Sequence, residues 1–171
     1  SFNGNKIITA GGGGAITTND NDLGIRAKHL TTTAKVAHQW EYIHNELAYN
    51  YRMPNLNAAL ACAQLENLKE IKERKKRLYT EYQSFFVNMG VQLVEVPDDT
   101  DWNYWLISLV LENKKDRDLF LKETNENKVM TRPVWRLMHK LHMYKDCQRD
   151  RQLNAEFLEE RIVNIPSSAK K

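Results

Sequence analysis

Residues 1–18 read SFNGNKIITAGGGGAITT, with a lysine at position 6 and four consecutive glycines at positions 11–14. Glycine permits backbone conformations and close approaches that a Cβ would prevent, so this run suits a closely fitting ligand. A lysine becomes a nucleophile towards carbonyl compounds when burial or a neighbouring cation lowers its pKa. Because most lysines are solvated surface residues, a reactive role for Lys6 needs support from the rest of the chain.

Composition and cysteine usage describe a globular protein of ordinary domain size. The chain has 171 residues, of which 42% are hydrophobic and 27% charged, and its net charge is +3. These values give no reason to expect nucleic-acid or membrane partners. Cys62 and Cys147 lie far apart and outside any metal-binding motif, so they predict neither a disulfide framework nor a zinc site. We expect free thiols, no bound metal and a reducing, cytoplasmic location.

Local patterns predict alternating helices and strands, hence an α/β or α+β second half. The segments predicted to be strands are 6–10, 15–18, 91–96, 102–111 and 129–131. The segments predicted to be helices are 20–30, 54–90, 116–124 and 154–163. Asn19 or Asp20 would cap the first helix. Residues 31–54 lack periodicity and predict an irregular connection, and their aromatic content indicates a functional role.

Three stretches of the chain form an ordered pattern. In the first, Ser1 precedes Lys6 by five residues and the glycine run follows. The second is residues 48–59, which read AYNYRMPNLNAA, with QLE at 64–66. The third is residues 131–139, which read TRPVWRLMH. This pattern resembles the DegT family, which are pyridoxal-phosphate-dependent sugar aminotransferases of fold type I. The residues of these stretches are most similar to those of the branch that aminates 4-keto nucleotide sugars for bacterial surface glycans.

The resemblance implies roles for individual residues. Lys6 would bind the cofactor, pyridoxal 5′-phosphate, through its amine and would later shuttle a proton at the reacting carbon. Ser1 would hydrogen-bond the cofactor phosphate, and Asn50 would reach the phosphate held by a neighbouring subunit. The candidates for substrate contacts are Arg52, Trp135 and His139. A structural salt bridge explains the charge of Arg52 equally well.

The resemblance also implies a fold and a set of partners. The expected fold is α/β, in which residues 1–55 would end a large cofactor-binding domain. Residues 56–89 would form a bridging helix, and residues 90–171 a small C-terminal α/β domain. The expected partners are a keto nucleotide sugar and an amino donor such as glutamate, with the site at the interface of a homodimer or higher oligomer.

The chain departs from the family pattern in two respects. Gly12 stands where the family often has an acidic residue within the glycine run. Family members also have a long upstream portion, which supplies a Gly-Thr phosphate loop, a residue stacked on the ring and an aspartate paired with the pyridine nitrogen. No residue of this chain can be assigned the role of that aspartate by motif. Asp20 and Asp22 fit a surface turn and a helix start instead.

Two hypotheses of different classes follow from these features. In the first, the chain represents a pyridoxal-phosphate-dependent aminotransferase whose upstream half is supplied elsewhere. In the second, it is a truncated, non-catalytic domain that binds no cofactor and associates with itself through unpaired sheet edges and apolar surface. The second is the expectation for the chain as given, and the first describes its ancestry.

Overall fold

A computed structural model describes residues 1–168, which form five α-helices and two small sheets. The chain is therefore α/β, as the sequence predicts. It divides into two compact units, Ser1–Lys69 and Glu70–Lys171, which we call unit 1 and unit 2. The assignment of particular residues to a large domain, a bridging helix and a small domain stays a prediction. None of the helices in the described range has the length and hydrophobicity that crossing a bilayer requires.

Unit 1 is built from two helices and a small hairpin. Its elements are α1 (Asn21–Thr31), β1 (Lys35–Val36), β2 (Ile43–His44) and α2 (Asn55–Glu66). Asp20 caps α1, since its Oδ1 accepts a hydrogen bond from the Leu23 N–H at 3.0 Å, which confirms one of the two predicted caps. β1 and β2 pair antiparallel, with Lys35 opposite His44. The connection predicted to be irregular therefore contains an ordered hairpin.

The two strands predicted on either side of the glycine run are wrong, because residues 1–20 form loops and turns. The backbone groups of Ala10 and Gly13 bind Phe2 instead of pairing as a hairpin across the glycine run. The Phe2 N–H donates to the Gly13 carbonyl and Phe2 accepts from the Ala10 N–H, both at 2.9 Å. Gly11 and Gly13 have φ values of 77° and 83°, which turn the chain out of an extended conformation.

The single long helix predicted from residue 54 to residue 90 is divided in two. Helix α2 ends at Glu66, and helix α3 extends over Leu68–Val87. Between them Asn67 has φ −93° and ψ 1°, a sparsely populated conformation. Its side-chain amide donates to the Ala63 carbonyl at 2.8 Å. Such local bonds compete with continuation of a helix, which accounts for the break.

Unit 2 is organised around a four-stranded antiparallel sheet in the order β3-β4-β6-β5. Its strands are β3 (Gln92–Leu93), β4 (Ile107–Val110), β5 (Arg132–Pro133) and β6 (Ile162–Ile165). Its remaining helices are α4 (Lys114–Glu126) and α5 (Leu153–Glu159), with 3₁₀ turns at Met138–Lys140 and His142–Tyr144. Ile107, Leu109 and Val163 are completely buried in the sheet. Tyr82 of α3 and Phe120 of α4 pack against the core that contains Leu109.

Several predicted elements of unit 2 exist but have different limits. The strands predicted at 91–96 and 102–111 are reduced to the short strands β3 and β4. The strand predicted at 129–131 lies slightly later, as β5. The helix predicted to reach residue 163 ends at Glu159, and Val163 instead pairs with Leu109 in the sheet. Burial against β4 therefore overrides the helical periodicity of this segment.

Candidate functional site

Lys6 lies on a closed loop formed by residues 2–10, which we call the lysine loop. Its N-terminal part is a turn, in which the Lys6 N–H donates to the Asn3 carbonyl at 3.0 Å. The ends of the loop meet at the Phe2 carbonyl, which accepts from the Ala10 N–H at 2.9 Å and from the Thr9 hydroxyl at 3.1 Å. Lys6 itself is half-buried. Lys6 therefore lies on a loop whose two ends, at Phe2 and at Thr9 and Ala10, are joined by hydrogen bonds.

Two side chains of α2 form hydrogen bonds that attach the base of the lysine loop to this helix. The Asn57 side-chain amide donates to the Ala10 carbonyl at 2.5 Å. The Gln64 side-chain oxygen accepts from the Thr9 N–H at 3.3 Å. Asn57 and Gln64 are seven residues apart, so they lie two turns apart on the same face of the helix. Ala61, which is buried, lies between them on this face.

The glycine run brings the chain back to its first residue. A Cβ placed on Gly14 would lie 3.6 Å from Ser1 Cα and 3.7 Å from Ser1 N, so the two backbones are in contact range. A Cβ on Gly13 would lie 2.9 Å from the end of the Met53 side chain, closer than real contacts allow. The Met53 side chain is flexible and can shift, so it is the positive φ of Gly13 that favours glycine at this position. The run places Ser1 on the same side of unit 1 as the start of the lysine loop.

Asn50 and Arg52 lie on the strand-like segment that leads into α2. Asn50 is exposed and forms an isolated bridge with Thr32, and the neighbouring Tyr51 N–H donates to the Thr31 carbonyl at 2.8 Å. Arg52 lines a cavity of about 870 Å³ that the glycine run, α1 and the start of α2 enclose. Ser1, Lys6 and Asn50 lie outside this cavity. The structure therefore holds Asn50 on the surface of unit 1, accessible to another molecule.

The remaining predicted site residues belong to unit 2. Trp135 is 67% exposed, and its ring centroid lies 6.2 Å from that of Trp105. His139 is largely buried, and its Nε2 lies 3.0 Å from a carboxylate oxygen of Glu156 on α5. His139 therefore has an intramolecular partner, whereas Trp135 presents an accessible aromatic surface.

An ion pair also holds this segment of unit 2. Lys140 donates to the Glu159 carboxylate, which also accepts from the Leu137 N–H at 3.3 Å. Burial acts to raise the pKa of Glu159, but these hydrogen bonds and the nearby positive charges outweigh it and hold that pKa below its usual range. The segment that carries Trp135 and His139 is thereby attached to α5 by ionised side chains.

The sequence analysis missed the residues that position the lysine loop. Thr9, Asn57 and Gln64 were part of the recognised stretches but had no role assigned to them. The seven-residue spacing of Asn57 and Gln64 indicates a shared helix face, yet nothing local indicates that this face contacts Thr9 and Ala10. Contacts between residues this far apart in sequence depend on the tertiary fold.

The functional groups around Lys6 fit part of a pyridoxal phosphate site. The cofactor's aldehyde requires a primary amine, which Lys6 carries on a loop with a fixed base. Its phosphate requires hydroxyl and N–H donors, and Ser1 lies against the glycine backbone at Gly14. Among the described residues no group of three or more His, Cys, Asp or Glu side chains is arranged to hold a metal ion.

The fold of the chain matches just under half of each of two solved aminotransferase structures. The chain superposes on the aminotransferase TlmJ from Streptoalloteichus hindustanus with a TM-score of 0.90 at 20% identity, covering 98% of this chain and 45% of that one. It superposes on the PLP form of the putative sugar aminotransferase Spr1654 from Streptococcus pneumoniae with a TM-score of 0.82 at 19% identity, covering 100% and 46%. At these identities the likeness establishes the fold alone.

The sequence establishes the family. Residues 1–170 match the model of the DegT/DnrJ/EryC1/StrS aminotransferase family, and the chain belongs to that family. It is 34% identical to a GDP-perosamine synthase of Escherichia coli O157:H7, over 98% of this chain and 45% of the relative. It is also 34% identical to the putative pyridoxal phosphate-dependent aminotransferase EpsN of Bacillus subtilis, over 81% and 36%. The resemblance seen in the sequence is confirmed, and the chain spans less than half the length of these relatives.

Proposed function

We propose that this chain provides the lysine-bearing part of a pyridoxal-phosphate-dependent aminotransferase that acts on a keto nucleotide sugar. The observation that carries the proposal is the family match over residues 1–170, which includes the lysine loop and the segment around Asn50. Relatives named GDP-perosamine synthase support a nucleotide sugar as the substrate class. Glutamate is the proposed amino donor.

In this proposal three residues hold the cofactor. Lys6 binds it covalently through Nζ, and Ser1 donates its hydroxyl to the phosphate. Asn50, which is exposed, reaches the phosphate held by a second copy of the chain. When bound, pyridoxal phosphate supplies an electron sink for the carbon that exchanges its amino group. The closed base of the lysine loop supports this role because catalysis requires a positioned amine.

With pyridoxal phosphate bound, the Nζ of Lys6 would act as a general base and acid at the carbon that exchanges its amino group. It would remove the proton from the reacting carbon of the amino donor and return a proton on the acceptor side. Arg52, Trp135 and His139 are proposed to contact the substrate. Trp135 offers an exposed ring for the sugar or base. Because His139 is bonded to Glu156, a substrate contact would use its second ring nitrogen or require that bond to open.

We propose that the active form is a homodimer or higher oligomer in the cytoplasm. Residues 1–55 would belong to the large domain, residues 56–89 to the bridge and residues 90–171 to the small domain. Cys62 and Cys147 are both free and exposed, which supports a reducing compartment. A carboxylate for the pyridine nitrogen is not assigned to any residue of this chain.

The visible absorption spectrum tests whether Lys6 binds the cofactor. Purified protein mixed with pyridoxal phosphate should develop a stable band of lysine-bound cofactor. The band should disappear in Lys6→Ala and persist in the matched variant Lys69→Ala, which removes an exposed lysine of the same unit. An identical band in Lys6→Ala would contradict the proposal, as would the absence of any band in the wild-type protein.

A second candidate function is a non-catalytic domain that associates with itself. The observation that favours it is the exposure of large apolar side chains in unit 1, including Ile16 at 68%, Ile25 at 69% and Leu56 at 87%. This candidate predicts concentration-dependent association in sedimentation experiments together with no cofactor band. A cofactor band that depends on Lys6 would exclude it.

A further inference from the structure

We infer that Asn57 and Gln64 are positioning residues that determine where the lysine loop presents the amine of Lys6. The inference rests on the proposed function in so far as Lys6 is the cofactor lysine. Neither side chain needs to touch the cofactor, because each acts on the backbone of the lysine loop. Asn57 and Gln64 both lie on α2, which follows Asn50 in the chain. One helix would therefore support both Lys6 and the segment with Asn50, which is proposed to reach a second copy of the chain.

The two contacts are complementary in chemistry. Asn57 acts as a donor to the Ala10 carbonyl at 2.5 Å, and Gln64 acts as an acceptor from the Thr9 N–H at 3.3 Å. They bind polar groups of the Ile8–Thr9 and Ala10–Gly11 peptide units, which flank the unit whose N–H donates to the Phe2 carbonyl. Together, the two hydrogen bonds restrict both the position of residues 9 and 10 and their rotation about the chain axis. A single hydrogen bond would not restrict both.

The hydrogen bond from Thr9 to Gln64 acts on Lys6 through a short stretch of the loop backbone. Thr9 follows Lys6 by three residues, and the Thr9 hydroxyl donates to the Phe2 carbonyl at 3.1 Å while accepting from the Gly11 N–H at 3.0 Å. Thr9 therefore joins both ends of the lysine loop and the first glycine. A displacement of Thr9 from Gln64 would shift the base on which Lys6 is held.

Apolar packing in this unit is limited in area and gives the loop little directional definition. Within residues 1–69 the buried hydrophobic side chains are Ile8, Ala10, Ala34 and Ala61. Three of these are alanines, which bury little area and pack without directional preference. Hydrogen bonds to part-buried backbone groups are directional, and their loss leaves a polar group without its partner. Burial of Ile8 and Ala10 holds this side of the loop against unit 1, and the hydrogen bonds of Asn57 and Gln64 add the directional contacts that define its orientation.

The experiment uses hydrogen exchange and cofactor binding on the same set of full-length variants. Gln64→Met removes the acceptor at similar volume, Gln64→Glu keeps an acceptor, and Asn57→Leu removes the donor. The matched controls are Gln83→Met and Asn55→Leu, both at exposed helical positions. Amide exchange of Thr9 is measured without cofactor and compared with that of Leu109, which is buried in unit 2. The second readout is the pyridoxal phosphate concentration that half-saturates the lysine-bound absorption band.

Gln64→Met should accelerate exchange at Thr9 by about three- to tenfold relative to Leu109, the factor expected for one lost hydrogen bond. The half-saturating pyridoxal phosphate concentration should rise by a similar factor in Gln64→Met and Asn57→Leu. Gln64→Glu should restore both values to within about twofold of wild type, because its carboxylate still accepts from the Thr9 N–H. The two controls should change neither readout.

Three results would overturn the inference. The first is unchanged exchange at Thr9 in Gln64→Met, and the second is equal behaviour of Gln64→Glu and Gln64→Met. The third is equal acceleration at Thr9 and Leu109, which would indicate general destabilisation instead of local positioning. A wild-type protein that shows no cofactor band refutes the proposed function separately, and the exchange at Thr9 still decides whether Gln64 holds the loop.

Discussion

In unit 2 the completely buried side chains are Ile107, Leu109 and Val163, which lie on adjacent strands of one sheet. In unit 1 the buried hydrophobic side chains are few and mostly alanine, while Ile25 and Leu56 are more than two-thirds exposed. Within the described residues, unit 2 therefore has an ordinary apolar core, whereas the lysine loop of unit 1 is held by hydrogen bonds between side chains and backbone in addition to buried apolar side chains. The difference separates the unit whose sheet is stabilised by apolar packing from the unit that carries Lys6, the proposed cofactor lysine.

This comparison explains why the lysine loop has a defined geometry without a large core beneath it. Phe2, Thr9 and Ala10 are linked to one another and to α2 by directional bonds. Such bonds define orientation but contribute only about 0.5–1.5 kcal/mol each to stability. We therefore expect substitutions in the core of unit 2 to affect stability most, and those in unit 1 to affect local geometry.

The largest expected effect is at the core of unit 2. Leu109→Ala should lower the free energy of unfolding by about 2–5 kcal/mol, because it leaves a cavity in a completely buried site. Urea denaturation followed by circular dichroism measures the change. The matched variant Leu119→Ala, at a position that is 54% exposed on α4, should stay within about 0.5 kcal/mol of wild type. Similar losses in both variants would contradict the assignment of this core.

A smaller effect is expected at the start of α1 in unit 1. Asp20→Ala should cost about 0.5–2 kcal/mol, because the Leu23 N–H loses its side-chain acceptor. Asp22→Ala removes a charge from the same helix turn without removing the cap, and should cost only a few tenths of a kcal/mol. Thermal unfolding of the two variants would show whether the cap or the charge matters. A larger loss in Asp22→Ala would refute the capping role.

The smallest expected effect is the pH dependence of an ion pair in unit 1. Arg26 donates two hydrogen bonds to Glu46, and these lower the pKa of Glu46 against the raising effect of burial. Since this folded-state pKa lies below the unfolded value, the pair stabilises the fold above about pH 4.5, and its contribution is lost as the pH falls through the folded pKa. The effect is small because the pair is solvent-exposed.

The variant Glu46→Gln isolates this contribution. Its urea midpoint should lie slightly below that of wild type at neutral pH, and the two midpoints should converge in acid. Added salt should reduce the difference at neutral pH. A difference that persists unchanged in acid would show that Glu46 stabilises the hairpin by packing instead of by charge.

The sequence predicted those features that depend on short-range patterns. The α/β class, the capped helix after Asp20 and the family all followed from motifs and periodicity. The strands beside the glycine run were wrong, because the Phe2 backbone takes the hydrogen bonds that a hairpin would use. The end of the last helix was wrong, because Val163 is buried against Leu109. Both errors come from tertiary contacts that override local preference.

The candidate site was predictable in part for the same reason. Lys6, Ser1 and Asn50 stand in stretches whose spacing is informative by itself. The supporting roles of Asn57 and Gln64 arise only when α2 folds back on the lysine loop. The residues proposed to bind the cofactor belong to recognisable sequence patterns, whereas the contacts of Asn57 and Gln64 with the loop backbone are evident only in the three-dimensional structure.

The central claim is that Lys6 is the lysine that holds the cofactor. Reduction of the mixture of protein and pyridoxal phosphate with borohydride, followed by peptide mass mapping, tests it most directly. We predict one dominant phosphopyridoxyl modification, on the peptide that contains Lys6, and its loss in Lys6→Ala. Modification spread over surface lysines such as Lys69, with none at Lys6, would contradict the claim.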